Sequence, residues 1–309
     1  MSLTLVELIA LLMGLLLGSF LNVCIVRIPR GESIAWPGSR CLACGHAIRW
    51  YDNVPVLSWM RLRGRCRDCG EAISWRYPAV ELATALWFVA AGSRLWSALH
   101  PAVGAASFVL PFQAIGAVGF AALGLLLIGL AVIDWQTQRL PDAITFSGIA
   151  AGVFLVCTQA IFLGPTDYQI VFASKHLRLS SPGSFAAKGN VFLTGTEALI
   201  FGRLMAIVGA ALILLAIRWT YKALRGREGL GLGDVKMLAM VAAFLGFWPT
   251  VLTLFAGVLL ATVYAAALIV RQRAGALTRL PLGSFLGVGG LFVALFGQPI
   301  LTWYAGLLR

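Results

Sequence analysis

Long apolar runs separated by short polar segments dominate the chain and predict membrane-spanning helices. A helix needs about 20 mostly apolar residues to cross a bilayer. Eight segments approach this length: 3–26, 79–99, 104–133, 143–163, 198–219, 235–248, 250–270 and 283–308. The sixth is short, because a helix of this length rises only about 21 Å. We interpret it as a shallow span or as one arm of a helical hairpin that turns at Pro249. The pattern predicts an all-α polytopic membrane protein of about eight transmembrane helices.

Two polar segments interrupt this pattern. Residues 27–78 follow the first span and are rich in Arg and Cys, which predicts a small separate domain. Residues 164–197 form a loop bounded by turn-forming residues. Within that loop, residues 168–173 and 191–194 have the composition of short strands and predict a hairpin-like lid.

Composition excludes several classes of protein. Of the 309 residues, 60% are hydrophobic and 12% are charged, and the mean hydropathy is +0.89. Soluble domains carry about 25% charged residues. An ordinary soluble enzyme, a disordered chain and a nucleic-acid-binding module are therefore excluded. The net charge of +12 is better explained by membrane topology, because cytoplasmic loops of membrane proteins collect Lys and Arg.

The positions of the basic residues predict the orientation. Arg27 and Arg30 follow the first apolar run, whereas residues 1–7 carry no basic side chain. A cleaved signal peptide carries its positive charges before the apolar run, so we expect this segment to be a retained helix with its N-terminus outside. In that orientation 18 of the 24 Lys and Arg residues lie on the cytoplasmic side, as the positive-inside rule requires.

Four of the six cysteines form two Cys-x-x-Cys-Gly pairs in residues 27–78: Cys41, Cys44, Cys66 and Cys69. Tetrahedral zinc binds four thiolates, and two such pairs can supply them. Glycine after the second Cys tolerates the positive φ of such a turn. The alternative is two disulfides or redox pairs, which a reducing cytosol disfavours. The spacing predicts a structural Zn²⁺ site in a zinc-ribbon-like insertion. The predicted organisation is a first helix (1–26), a cytoplasmic zinc-binding domain (27–78) and a helical transmembrane domain (79–309).

Two carboxylates at span boundaries are the candidate catalytic groups. Asp134 ends a long apolar run, and Asp234 opens another within a glycine-rich segment. Two spans separate them, so both are expected at the cytoplasmic boundary. Two carboxylates close together share a proton, as in aspartic proteases. The alternative is that both residues lie at helix boundaries without a catalytic role. The negative charge of Asp234 would then be stabilised by a helix N-terminus.

Five motifs in one order give the chain a resemblance to a known family. The segment Gly231-Leu-Gly233-Asp234 with Lys236 resembles the GxGD signature of polytopic aspartic proteases. Within that group, the chain resembles the type IV prepilin peptidases, or leader peptidase/N-methyltransferases. The other matching segments are Gly18–Pro29, the two Cys pairs, Arg76–Leu82 and Asp134–Asp142. The chain departs from the family's pattern in the length of its loop 164–197.

The resemblance implies a bifunctional enzyme of the bacterial inner membrane. It would cleave the leader of prepilins and pseudopilins, in type IV pilus or type II secretion systems, on the cytoplasmic side. It would then methylate the new N-terminus with S-adenosylmethionine. Asp134 and Asp234 would be catalytic, with Gly231, Gly233, Lys236 and Asp142 in supporting roles. The S-adenosylmethionine site is expected near the zinc domain and residues 18–30, with Glu81 as a candidate contact.

Three alternatives remain at this point. The chain could be a peptidase without methyltransferase activity. It could instead be a zinc-domain membrane transporter or assembly protein, although transporter sites lie near the bilayer midplane rather than at its boundary. Nucleic-acid binding by the Arg-rich segment is disfavoured, because its basic residues already have a topological explanation. The expected partners are prepilin and pseudopilin substrates and the lipid bilayer, without nucleic acid.

Overall fold

The computed structural model describes residues 2–100, 109–162, 194–226, 230–271 and 280–307. Helices account for most of these residues, and the prediction of an all-α polytopic fold is confirmed. The helices are α1 (Leu3–Arg27), α2 (Leu57–Arg61), α3 (Arg76–Leu99), α4 (Val109–Thr137), α5 (Asp142–Ile161), α6 (Thr194–Arg225), α7 (Leu232–Leu245), α8 (Phe247–Val270) and α9 (Leu282–Leu307). Within the described ranges, seven of them are long and apolar enough to cross a membrane, all except α2 and α7.

The short helix α7 lies in the interior of the bundle. Eight of its residues are buried. Six of these eight form one core with buried side chains of three other helices: Leu123, Leu127 and Leu130 of α4, Ala206, Ala210 and Leu214 of α6, and Leu286 of α9. An apolar helix surrounded by other helices need not present a lipid-facing surface across the whole bilayer. Its length of 14 residues is therefore compatible with its position.

The break between α7 and α8 differs from the predicted one. The chain turns at Gly246, whose φ of +85° is readily adopted only by glycine. Pro249 instead lies in the first turn of α8, where a helix leaves its backbone N–H groups unpaired and proline is tolerated. The prediction of a turn at Pro249 was wrong because proline was interpreted as a helix breaker and not as a helix starter.

A second core joins α1, α3 and α4, and here small residues allow the helices to approach closely. A methyl group added at Gly14 of α1 would lie 2.6 Å from Cα of Ala85 in α3, and one at Gly18 would lie 2.7 Å from Cα of Glu81. Such small residues four apart are typical of helix packing in membranes. The indole N–H of Trp87 also donates to the carbonyl of Phe120 in α4 at 2.8 Å.

Side-chain contacts place several helix ends together at one end of the bundle. The C-terminal half of α1 meets the start of α3, where the Asn22 side chain donates to the carbonyl of Tyr77 at 3.0 Å. The C-terminus of α4 meets the N-terminus of α9, and the N-terminus of α5 meets that of α7. Both Cys pairs are in the segment joining α1 to α3, and so attach at this same end.

The predicted lid in residues 164–197 lies almost entirely outside the described residues. The candidate strand at 168–173 and most of the one at 191–194 fall there. Thr194, the last residue of the second candidate strand, is the first residue of helix α6.

Candidate functional site

Asp134 lies in the last turn of α4 and is 5% exposed. The backbone N–H of Ser284, at the start of α9, donates to Oδ2 of Asp134 at 2.8 Å. The Ser284 hydroxyl lies 3.2 Å from the same oxygen. This carboxylate is therefore not a lone helix-boundary group, because another helix N-terminus supplies it with donors.

Asp234 lies in the first turn of α7, directly after the glycine-rich segment. Its Oδ2 accepts the backbone N–H of Gly231 at 3.3 Å. Asp134 is close enough to Asp234 for the two carboxylates to repel each other when both are charged. The structure thus brings together two acidic residues that are one hundred positions apart in the sequence.

Two glycines and one leucine shape the space between the two acids. A methyl group added at Gly283 would lie 3.0 Å from Cγ of Asp134 and 3.0 Å from Cδ1 of Leu140. One added at Gly233 would lie 3.0 Å from Cβ of Leu140. The Leu140 side chain therefore packs against the backbone of both helix N-termini, and neither glycine has room for a side chain without displacing its neighbours.

The other two predicted supporting residues contact each other at the edge of this site. Nζ of Lys236 lies 2.6 Å from Oδ1 of Asp142, which joins α7 to α5, and it also lies 5.2 Å from the Phe146 ring. The Asp142 side chain is 62% exposed. Exposed ion pairs contribute little to stability, and this contact links the N-terminal parts of α7 and α5.

Sequence reasoning missed the contribution of α9. Gly283 and Ser284 both contact Asp134, yet neither was among the predicted site residues. A signal was present in the sequence, because Pro281-Leu-Gly-Ser places a proline, a small residue and a polar residue at the entry of an apolar run. The segment before Asp234 likewise places small residues directly before a polar residue at the entry of an apolar run.

The four predicted metal ligands form one cluster. The sulfur atoms of Cys41, Cys44, Cys66 and Cys69 all lie within 4.8 Å of one another. Tetrahedral zinc with bonds of about 2.3 Å separates its sulfur ligands by about 3.8 Å, so a small adjustment accommodates the ion. All four cysteines are free thiols in the structure, which contains no disulfide among its described residues.

The backbone of both Cys pairs follows the same design. The N–H of Cys41 donates to the carbonyl of His46, and that of Cys66 donates to the carbonyl of Glu71, at 2.9 and 2.8 Å. Gly45 and Gly70 have φ angles of +75° and +73°, as expected from their position after the second Cys. Two equivalent turns therefore direct four sulfurs to one point.

The charge of the cluster also suits a cation. Backbone hydrogen bonds from Cys44 and Ala43 lower the pKa of the Cys41 thiol to about 7. The backbone N–H of Glu71 donates to the Cys69 sulfur and favours its thiolate, but burial and contacts with the other three sulfurs outweigh it and raise the pKa of Cys69 to about 12. Four thiolates cannot form together without a positive ion to offset their repulsion, and a bound divalent metal provides it.

A cavity of about 330 Å³ lies between α1 and the segment that carries the cysteines. Its lining mixes apolar and polar side chains, among them Ser19, Phe20, Val23, Arg27 and Asn53. The Arg27 guanidinium donates to the carbonyls of Ser33, Pro37 and Gly38 at 2.7 to 3.1 Å and so holds the outer wall in place.

Glu81 lies beside this cavity and does not line it. Its carboxylate, on α3, interacts with the Ser19 side chain and accepts the backbone N–H of Val56 at 2.7 Å. Val56 has a φ of +60°, which is strained for a β-branched residue. Glu81 therefore fastens the Cys-bearing segment to the bundle.

Two family models match parts of the chain. The family model described as "Bacterial Peptidase A24 N-terminal domain" matches residues 12–95, and the one described as "Type IV leader peptidase family" matches residues 183–266. The second range contains Asp234, and Asp134 lies outside both. No solved structure matches the chain significantly.

Curated relatives match over nearly the whole chain. A protein named prepilin leader peptidase/N-methyltransferase from Burkholderia pseudomallei (strain 1026b) is 33% identical, over 96% of this chain and 87% of its own length. The protein of the same name from Stutzerimonas stutzeri is 31% identical, over 97% and 94%. That from Myxococcus xanthus (strain DK1622) is 34% identical, over 85% and 63%.

The cysteine cluster generates a direct prediction. In the variant Cys41→Ser with Cys66→Ser, only two sulfur ligands remain, so purified protein should lose its bound zinc. The control Cys157→Ser changes a cysteine outside the cluster and should retain the zinc of the unchanged chain. Zinc is measured by elemental mass spectrometry of purified protein. Equal zinc content in the two variants would contradict a four-cysteine site.

Proposed function

Because the chain belongs to the prepilin leader peptidase/N-methyltransferase family, we propose that it is a membrane-embedded aspartic endopeptidase that removes the leader of prepilins and pseudopilins. The observation that carries the proposal is the meeting of Asp134 and Asp234 at one end of the bundle. In one order of events, one carboxylate takes a proton from water, whose oxygen attacks the peptide carbonyl. The other acid gives its proton to the carbonyl oxygen. The pair titrates as a unit, because it shares one proton.

We place this reaction at the cytoplasmic face of a bacterial inner membrane. The Cys-bearing segment attaches at the same end of the bundle as the two aspartates, and residues 27–78, which contain it, carry nine Arg residues. The positive-inside rule assigns such a segment to the cytoplasm. In this proposal residues 27–78 form a cytoplasmic domain with a structural zinc ion, and residues 79–309 form the peptidase domain.

We further propose that the same chain methylates the new N-terminus with S-adenosylmethionine, as the names of its relatives state for them. The cavity between α1 and residues 33–39 has a size within the range of about 300–1,000 Å³ for small-molecule sites. Among its polar side chains, Ser19 and Asn53 suit hydroxyl and amino groups, and its Phe20 suits a flat ring. When bound, S-adenosylmethionine would supply a methyl group to the amine. Arg27 and Glu81 would keep the cavity walls in place.

Removing either carboxylate tests the peptidase proposal. Asp134→Asn and Asp234→Asn each retain the shape of the side chain but cannot share a proton, so each should reduce prepilin cleavage by at least about a thousandfold. The assay incubates purified protein with a purified prepilin and follows the loss of the leader by mass spectrometry. Asp68→Asn, in the Cys-bearing segment, is a control that should cleave normally. Normal leader removal by either dyad variant would contradict the aspartic mechanism.

Filling the cavity tests the location of the methyl donor. Val23→Trp places a large ring in the cavity and should abolish methylation while cleavage continues. The mass of the processed pilin should therefore be lower by one methyl group. The control Leu12→Trp alters a position of α1 that is 53% exposed and outside the cavity lining, and it should leave both activities intact. Methylation at the normal rate by Val23→Trp would exclude this cavity as the site of the methyl donor. If the unchanged chain does not methylate the processed pilin, the protein is a peptidase without methyltransferase activity.

A further inference from the structure

The two proposed catalytic carboxylates have unequal surroundings. Oδ2 of Asp134 accepts the backbone N–H of Ser284 at 2.8 Å, and the oxygen of the Ser284 hydroxyl lies 3.2 Å from the same Oδ2. Asp234 has the Gly231 N–H at 3.3 Å, which is near the upper limit for a hydrogen bond. Hydrogen bonds donated to a carboxylate favour its charged form.

The Ser284 hydroxyl also fixes the position of the backbone donor. Its Oγ lies 2.8 Å from the carbonyl oxygen of Ala131, one turn before Asp134 in α4. Since a carbonyl only accepts, the hydroxyl donates to it and ties the N-terminus of α9 to the last turn of α4. Ser284 is 5% exposed, so water does not compete readily for these contacts.

The other charged groups at this end of the bundle do not reverse the difference between the surroundings of Asp134 and those of Asp234. They are Asp234 and Lys236 on α7, Asp142 on α5, Arg27 on α1, Arg76 and Glu81 on α3, Arg139 after α4, Arg218, Lys222 and Arg225 on α6, and Arg271 after α8. Lys236 pairs with Asp142, Arg27 and Arg218 donate to backbone carbonyls, and Glu81 accepts a backbone N–H. The described part of α9 carries no charged side chain. The backbone N–H of Ser284, which the Ser284 hydroxyl holds in place through Ala131, therefore makes the main local distinction between the two acids.

We propose that Ser284 is a positioning residue that holds Asp134 as the unprotonated member of the pair. Asp134 then takes a proton from the attacking water as its oxygen bonds to the carbonyl carbon. Asp234 carries the shared proton and gives it to the carbonyl oxygen, which completes a neutral diol. This inference rests on the proposed peptidase function and assigns a distinct role to each acid.

The test compares three variants of the full-length protein with purified prepilin as substrate. Ser284→Ala removes the hydroxyl and should lower kcat about tenfold, with KM nearly unchanged. Without the bond to the Ala131 carbonyl, the backbone N–H of residue 284 is held less firmly against Asp134. The ionised form of Asp134 then becomes less favourable, so the acidic limb of the kcat/KM profile should move to higher pH. Ser284→Thr retains a hydroxyl and should restore both values. Ser147→Ala removes an exposed hydroxyl that bonds only within α5 and should behave like the unchanged chain.

Each outcome bears on the inference. Normal kcat and an unmoved pH profile for Ser284→Ala would overturn it. An equal loss of kcat in Ser284→Ala and Ser284→Thr, with normal kcat in Ser147→Ala, would also overturn it. The loss would then come from altered packing at residue 284 and not from the missing hydroxyl. If Ser284→Ala does not fold, Ser284→Cys keeps the volume with only a weak donor, and the same two criteria apply to it. No cleavage by the unchanged chain would overturn the peptidase proposal itself, and this inference with it.

Discussion

The cost of holding two acidic groups inside a membrane protein is the constraint on which this structure depends. A carboxylate removed from water needs donors, and two adjacent carboxylates cannot both be charged at low cost. Here the N-termini of α7 and α9 supply backbone N–H groups to Asp234 and Asp134. Gly233 and Gly283 let those helix ends approach the acids closely. The helices that surround α7 hold these helix ends and the two acids in position.

Much of this arrangement was predictable from the sequence, because it follows from counting and from local chemistry. Apolar runs defined the helices, and an even number of spans between Asp134 and Asp234 placed both on one face. The spacing of the four cysteines predicted their cluster, since each Cys-x-x-Cys-Gly turn folds locally. The family resemblance is confirmed by relatives that match nearly the whole chain.

The remaining features depend on contacts between distant segments, which periodicity does not encode. Ser284 lies 150 positions from Asp134, and only the packing of α9 against α4 brings them together. The turn at Gly246 was missed because proline is ambiguous, breaking a helix in its interior but starting one in its first turn. The S-adenosylmethionine site was predicted only as a region near the zinc domain and residues 18–30. The cavity in that region was not predicted, because its walls come from α1 and from loops whose conformation Arg27 and Glu81 maintain.

The proximity of the two acids can be measured directly by cross-linking in the membrane. Asp134→Cys with Asp234→Cys, in a chain with Cys24 and Cys157 changed to Ser, would be treated with a short bifunctional thiol reagent. Peptides would then be identified by mass spectrometry. The account predicts a cross-link between α4 and α7 in this pair. It predicts none in the control pair Asp134→Cys with Gly202→Cys, whose second cysteine lies in α6. No cross-link in the first pair, or equal cross-linking in both, would contradict it.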